Sequence, residues 1–142
     1  MRCDQETIVE ATLGAWFRQD IALTLAFCHD DICYVIHGPP EEAFARTYRG
    51  KAEVGAFLQS VVDAWEFIVM DPTGVISSGN VVREVTRFRS RHKPSGEILE
   101  SVKRHIWTLD GGRISRVDEF QDTPAMRAFL KLGECRGGLQ HR

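Results

Sequence analysis

Residues 97–133, EILESVKRHIWTLDGGRISRVDEFQDTPAMRAFLKLG, constrain the fold of this chain more than any other stretch. Two runs rich in strand-forming residues flank Asp110-Gly111-Gly112. A short glycine pair between such runs marks a β-hairpin, because the tight turns that match strand twist need positive φ at their centre. The second run ends in Asp118-Glu119-Phe120-Gln121-Asp122. Thr123-Pro124 then predicts a short helix, with Thr123 as cap, Pro124 pre-set for the first turn and Gly133 as its end. A hairpin of this kind has one apolar face, so the rest of the chain must supply more sheet and a cover.

The upstream sequence supplies both. In residues 6–18, Ile8, Thr12 and Trp16 form one column and Val9, Leu13 and Phe17 a second, a two-column stripe at helical spacing. Asp20 predicts the cap of a short helix over 21–27. Residues 32–36 are rich in β-branched side chains and predict a strand, ended by Gly38-Pro39-Pro40. The polar segment 41–50 predicts a loop or flap. Residues 51–64 predict a helix with Val54, Phe57, Leu58, Val61 and Val62 on one face. Residues 65–76 form a long strand run interrupted by Asp71-Pro72, where an edge or a bulge is expected because proline cannot donate to a ladder. A turn at Ser78-Gly79-Asn80, a strand over 81–91 and a turn at Lys93-Pro94-Ser95-Gly96 lead into the hairpin. The predicted order is ααβαββββ with a short C-terminal helix. The class is α+β: a curved antiparallel β-sheet wrapped around the N-terminal helices, leaving an enclosed pocket of the kind that holds small molecules.

Composition narrows the function. The chain has 142 residues, 43% apolar and 27% charged, with a net charge of −2. This predicts a single domain with its core at about 6–133 and a tail at 134–142. The charge gives no bias toward nucleic acid or an anionic membrane. No run approaches the roughly 18 apolar residues of a membrane span. Cys3, Cys28, Cys33 and Cys135 form no C-x-x-C pair and no zinc spacing. A reduced, cytoplasmic protein is expected. There is no glycine-rich phosphate loop, no H-E-x-x-H and no G-x-S-x-G.

Strand alternation then nominates site residues. On the last strand Ile114, Arg116, Asp118 and Phe120 share a face, and Ile114 and Phe120 suggest that it points inward. Asp118 would then be a partly desolvated carboxylate, raised in pKa and suited to act as a base, unless Arg104 or Arg116 neutralises it. His105 shares a face with Lys103 and Trp107. A two- or four-residue turn brings it beside Asp118, whereas a one-residue change of register would separate them. Such a pair can share a proton or orient a carbonyl. Glu84, beside Thr86, Val82 and Phe88, offers a second carboxylate that can polarise a water or pair with Lys103. Trp16, Tyr34, Phe88, Trp107 and Phe120 are expected to shape the pocket. Arg83, Arg87, Arg89, Arg91 and Lys93, extended by Arg104, form a basic stripe on the opposite face, balanced by Glu97, Glu100 and Glu119.

Four motifs, in order, resemble the nuclear transport factor 2-like (cystatin-like) superfold, nearest its SnoaL-like polyketide cyclases and ketosteroid-isomerase-like proteins. They are Phe27-Cys28-His29-Asp30-Asp31-Ile32; Thr47-Tyr48-Arg49-Gly50 with Val54 and Phe57-Leu58; Asp110-Gly111-Gly112-Arg113-Ile114; and Val117-Asp118, Asp122 and Leu130-Lys131-Leu132-Gly133, with Val117 where tryptophan is usual. The resemblance covers roughly residues 6–133. It implies that Asp118 acts as acid or base on a carbon acid, with His105 assisting. It also implies a hydrophobic small-molecule partner, no metal or organic cofactor, and a homodimer through the outer sheet face. True ketosteroid isomerisation is not expected, because Ile36 (or His37) and Leu13 stand where such an isomerase carries its base and its tyrosine. Nor do residues 83–86 reproduce the Asp-Arg-Asp set of the epoxide-hydrolase relatives. The superfold also hosts non-catalytic binders, so a ligand-binding or dimerisation domain is the second expectation. A polyanion binder using the arginine stripe is the third.

Overall fold

The turn at the centre of the hairpin forms as its glycines require. Gly111 has φ 60° and Gly112 φ 81°, and Asp110 pairs directly with Arg113. Around it the computed structural model describes residues 4–137. The elements are α1 (Asp4–Phe17), α2 (Ile21–Ala26), β1 (Cys28–His37), β2 (Arg46–Arg49), α3 (Gly50–Ala64), β3 (Trp65–Ser78), β4 (Val81–His92), β5 (Ile98–Asp110), β6 (Arg113–Gln121) and α4 (Thr123–Gly137). The strands form one sheet in the order β2-β1-β6-β5-β4-β3.

The class is α+β, and four details depart from expectation. The segment expected as a flap contains β2, a four-residue strand whose Tyr48 pairs with Tyr34 of β1. The sheet is mixed, because β1 lies parallel to β6 while the other four pairings are antiparallel. Asp122 rather than Thr123 caps α4, its Oδ1 accepting from the Ala125 N–H at 3.1 Å. That helix also runs past Gly133 to Gly137. An interior glycine costs about 1 kcal/mol relative to alanine, which weakens a helix without ending it. Cys3 and the tail beyond residue 137 lie outside the described residues.

Other expectations match. Asp20 caps α2, its carboxylate accepting from the Leu23 N–H at 3.0 Å. Pro72 sits on β3, an edge strand with two register shifts, where a missing donor costs no ladder bond. Helices α1 to α3 cover one face of the sheet. Val9, Leu13, Val54 and Leu58 from the helices meet Ile32, Val82, Trp107, Ile114 and Val117 from the strands. Each fully buried aliphatic side chain of this kind contributes about 1.5–3 kcal/mol. A smaller cluster, Phe88, Leu99 and Phe129, docks α4 over the far end of β4 and β5. Among the described residues, no helix is long and apolar enough to cross a membrane.

Candidate active site

One irregularity in β6 decides what faces the helices. With Asp110 opposite Arg113, a regular ladder would set His105 opposite Asp118. Instead Leu109 pairs with Ile114 and Thr108 with Arg116, so Ser115 is an extra residue on β6. A bulge of this kind reverses the facing of everything beyond it. Ile114 is inward before the bulge, and Val117 and Glu119 are inward after it. His105 therefore pairs with Glu119.

His105 also pairs with Glu84 on its other side. Glu84, His105 and Glu119 thus form one row across β4, β5 and β6, and all three are buried. The His105 Nδ1 bonds Glu84 Oε1, and its Nε2 lies 3.1 Å from Glu119 Oε1. Other donors complete both carboxylates. Trp107 Nε1 donates to Glu84 Oε1 at 3.1 Å, and Thr86 Oγ1 to Glu84 Oε2 at 2.5 Å. Tyr34 Oη donates to Glu119 Oε1 and Gln121 Nε2 to Glu119 Oε2, each at 2.5 Å. A carboxylate only accepts, so an imidazole held between two of them needs a proton on each nitrogen, or else a proton on one carboxyl. Either way the row carries one proton more than a neutral histidine between two carboxylates would.

The electrostatics place that proton on the ring. Burial by itself pushes His105 down. Its hydrogen bonds to Glu119 and Glu84, and their charges, more than reverse this and lift it to about 9. Burial favours the neutral form of both carboxylates. For Glu119 the Lys103 charge and the bonds from His105 and Tyr34 prevail, and for Glu84 the bonds and charge of His105 do. Both stay below the usual carboxylate range. Tyr34 is pushed well above its usual range by burial and by the Glu119 charge, so it remains a donor.

The row opens on a two-lobed cavity. The inner lobe, about 50 Å3, lies under α1 and α3 and is walled by Leu13, Trp16, Ile32, Val54 and Trp107. The outer lobe, about 240 Å3, extends toward Phe44, Phe57 and Met126. Trp16, Tyr34, Leu58, Phe88, Lys103 and Glu119 border both lobes. The inner lobe also meets the Cys28 thiol, which burial raises to about 11 and so keeps protonated at neutral pH.

A SnoaL-like domain model matches residues 9–117, most of the chain. The chain belongs to the SnoaL-like family. An uncharacterised protein of Mycobacterium tuberculosis is 29% identical to this SnoaL-like chain over 119 residues, covering 83% of it and 88% of the relative. A crystal structure of an NTF2-like protein from Burkholderia xenovorans is 26% identical, with a TM-score of 0.75, covering 88% of this chain and 94% of that one. The structure of TerC co-crystallised with polyporic acid has a TM-score of 0.79 at 21% identity, covering 91% and 99%.

Within this SnoaL-like fold the nominated residues divide. His105, Trp16, Tyr34, Phe88 and Trp107 all border the cavity. Glu84 lies behind His105 rather than in the cavity wall, and it bonds His105 rather than Lys103. Asp118 and Phe120 correct the expectation, because the bulge turns both to the outer face. There Arg116 donates to both Asp118 oxygens at 2.9 Å, and His37 Nε2 lies 2.8 Å from Oδ1. Phe120 stacks on His37 with centroids 4.4 Å apart. Glu119, assigned above to balancing the arginine stripe, is instead the inward carboxylate. Arg87, Arg89 and Arg91 are balanced by Asp71, Glu100 and Glu66. One signal for the bulge was present in the sequence. Ile114 and Val117 are both apolar and three apart, a spacing that no regular strand can keep on one face.

Proposed function

We propose that this protein is a proton-transfer enzyme acting next to a carbonyl on an apolar small molecule, of the isomerase or cyclase kind. The observation that carries the reading is the buried Glu84–His105–Glu119 row, with Glu119 and Tyr34 bordering a cavity walled largely by apolar side chains. In the resting site Tyr34 donates to Glu119 and weakens it as a base. A substrate carbonyl that takes this phenolic hydrogen removes one donor from Glu119 and makes it more basic. Glu119 then accepts the proton from the adjacent carbon. Tyr34 donates to the carbonyl oxygen, where the negative charge gathers. Glu119 returns the proton to another carbon or to a leaving group. His105, held by Glu84, fixes the orientation of Glu119 and stabilises its charge when the proton leaves.

A small-molecule ligand is consistent with TerC, a fold neighbour crystallised with polyporic acid. The test is solvent exchange. In deuterated water at neutral pH the protein should catalyse deuterium incorporation next to the carbonyl of bicyclic ketones such as 1-tetralone, followed by proton NMR. Glu119→Gln should lower this by about 10²-fold or more. The second reading, a non-catalytic binder of the same fold, draws on Asp118, which Arg116 neutralises. Ketones that bind without any enzyme-dependent exchange would decide for it.

A further inference from the structure

The row next to the acid–base row is incomplete in one place. Thr86, Lys103 and Gln121 are cross-strand neighbours, each two residues along its strand from Glu84, His105 and Glu119 or two before them. The outer members each serve a carboxylate, Thr86 on Glu84 and Gln121 on Glu119. The middle member acts on Glu119 through its charge but makes no hydrogen bond to it among the described residues. Lys103 forms no ion pair within 4 Å among the described residues, and its Nζ instead lies 4.8 Å from the centre of the Phe88 ring. It borders both lobes of the cavity.

An ammonium has three donors and no acceptor, and stranding it in an apolar space is costly. Lys103 is half-buried, so water reaches it while the cavity is empty. A ligand that fills the outer lobe expels that water, and it must bring an acceptor of its own. Aromatic and aliphatic walls lower the local dielectric, so an ionised oxygen gains far more there than a neutral one. The His105 imidazolium is bonded on both nitrogens, to Glu84 and Glu119, so it has no donor left for this ligand atom.

We infer that the ligand of this cavity is an aromatic or polycyclic molecule carrying an ionised oxygen acid, with the anion held by Lys103 beside Phe88 and the reacting carbonyl at Tyr34 and Glu119. This rests on the proposed function for the carbonyl end alone. Lys103 is on this basis the residue that sets specificity.

The test is equilibrium binding, which needs no turnover. Titration calorimetry at pH 7 would compare 2-naphthoate with 2-acetylnaphthalene, two probes of similar size that differ in charge. The wild-type protein should bind the naphthoate about tenfold or more tightly than the ketone. Lys103→Met keeps an unbranched apolar stem of similar bulk and should erase the preference. Lys103→Arg should retain it and controls for folding. Equal affinity for the two probes in the wild type, a preference that survives Lys103→Met, or no binding of either probe would overturn the inference. A clear preference with no deuterium exchange would sink the enzymatic reading and leave this one standing.

Discussion

His105 and His37 each meet a carboxylate of β6, and the two carboxylates, Glu119 and Asp118, are neighbours in sequence. The clusters lie on opposite faces of the sheet. On the helix-covered face, the His105 side chain is 6% exposed and its partners Glu84 and Glu119 0% and 5%. On the outer face, the His37 side chain is 38% exposed and that of Arg116 47%. Identical functional groups therefore do different work. Inside, charges that cannot be solvated must satisfy one another, and removing one partner leaves the others stranded. Outside, water and salt screen the pair, and it contributes little.

The sharpest way to break the comparison is to delete each histidine. His105→Leu leaves two buried carboxylates without the imidazolium between them, and with only the more distant Lys103 charge to offset Glu119. It should cost about 3–5 kcal/mol in urea denaturation. His37→Leu should cost less than about 1 kcal/mol. Similar losses from the two variants would mean that the two faces are solvated alike, and the buried row would not exist in solution.

The pH dependence should separate the clusters next. His105 is raised from 6.5 to about 9, so between those values the folded protein binds a proton that the unfolded chain does not. The stabilisation is complete below pH 6.5 and is lost as pH rises through about 9. Glu84 and Glu119 are held below the ordinary carboxylate value of 4.5, so their contribution is present above it and lost as the pH falls. The melting temperature should therefore be highest between these limits and decline on the alkaline side. In His105→Leu the alkaline decline should flatten, while in His37→Leu it should persist. A melting temperature that stays constant from pH 6.5 to 9.5 in the wild type would contradict the charged imidazole.

The inner cluster was only half legible in the sequence, and the reason is local. Helix stripes, turn glycines and strand runs depend on near neighbours, so α1, α3, the Gly111-Gly112 turn and the shared face of His105, Lys103 and Trp107 could be read directly, though not which way that face points. Strand β2 could not, because Arg46–Arg49 is only four residues long, with Thr47 and Tyr48 its only strand formers, and is recruited by β1. The choice between Asp118 and Glu119 depended on a single extra residue. Alternation carried through Ser115 points the wrong carboxylate inward, and only the odd spacing of Ile114 and Val117 marks the slip. Which partners Glu84 takes was beyond reach for another reason. Its bonds to His105 and Trp107 cross strands and depend on the β4–β5 register.

The smallest expected effect tests the same bulge from the other side. Asp118→Asn keeps the size of the side chain and one acceptor oxygen for Arg116 or His37, and removes a charge whose partners Arg116 and His37 are themselves open to solvent. It should change stability by no more than about 1 kcal/mol and leave deuterium exchange at the wild-type rate, measured beside Glu119→Gln. The two substitutions are one residue apart and chemically equivalent, so their contrast reports the facing of β6 and little else. If Asp118→Asn abolished exchange while Glu119→Gln left it intact, Ser115 would have to lie within a regular ladder. His105 would then face Asp118, and the acid–base row would be built from the other carboxylate.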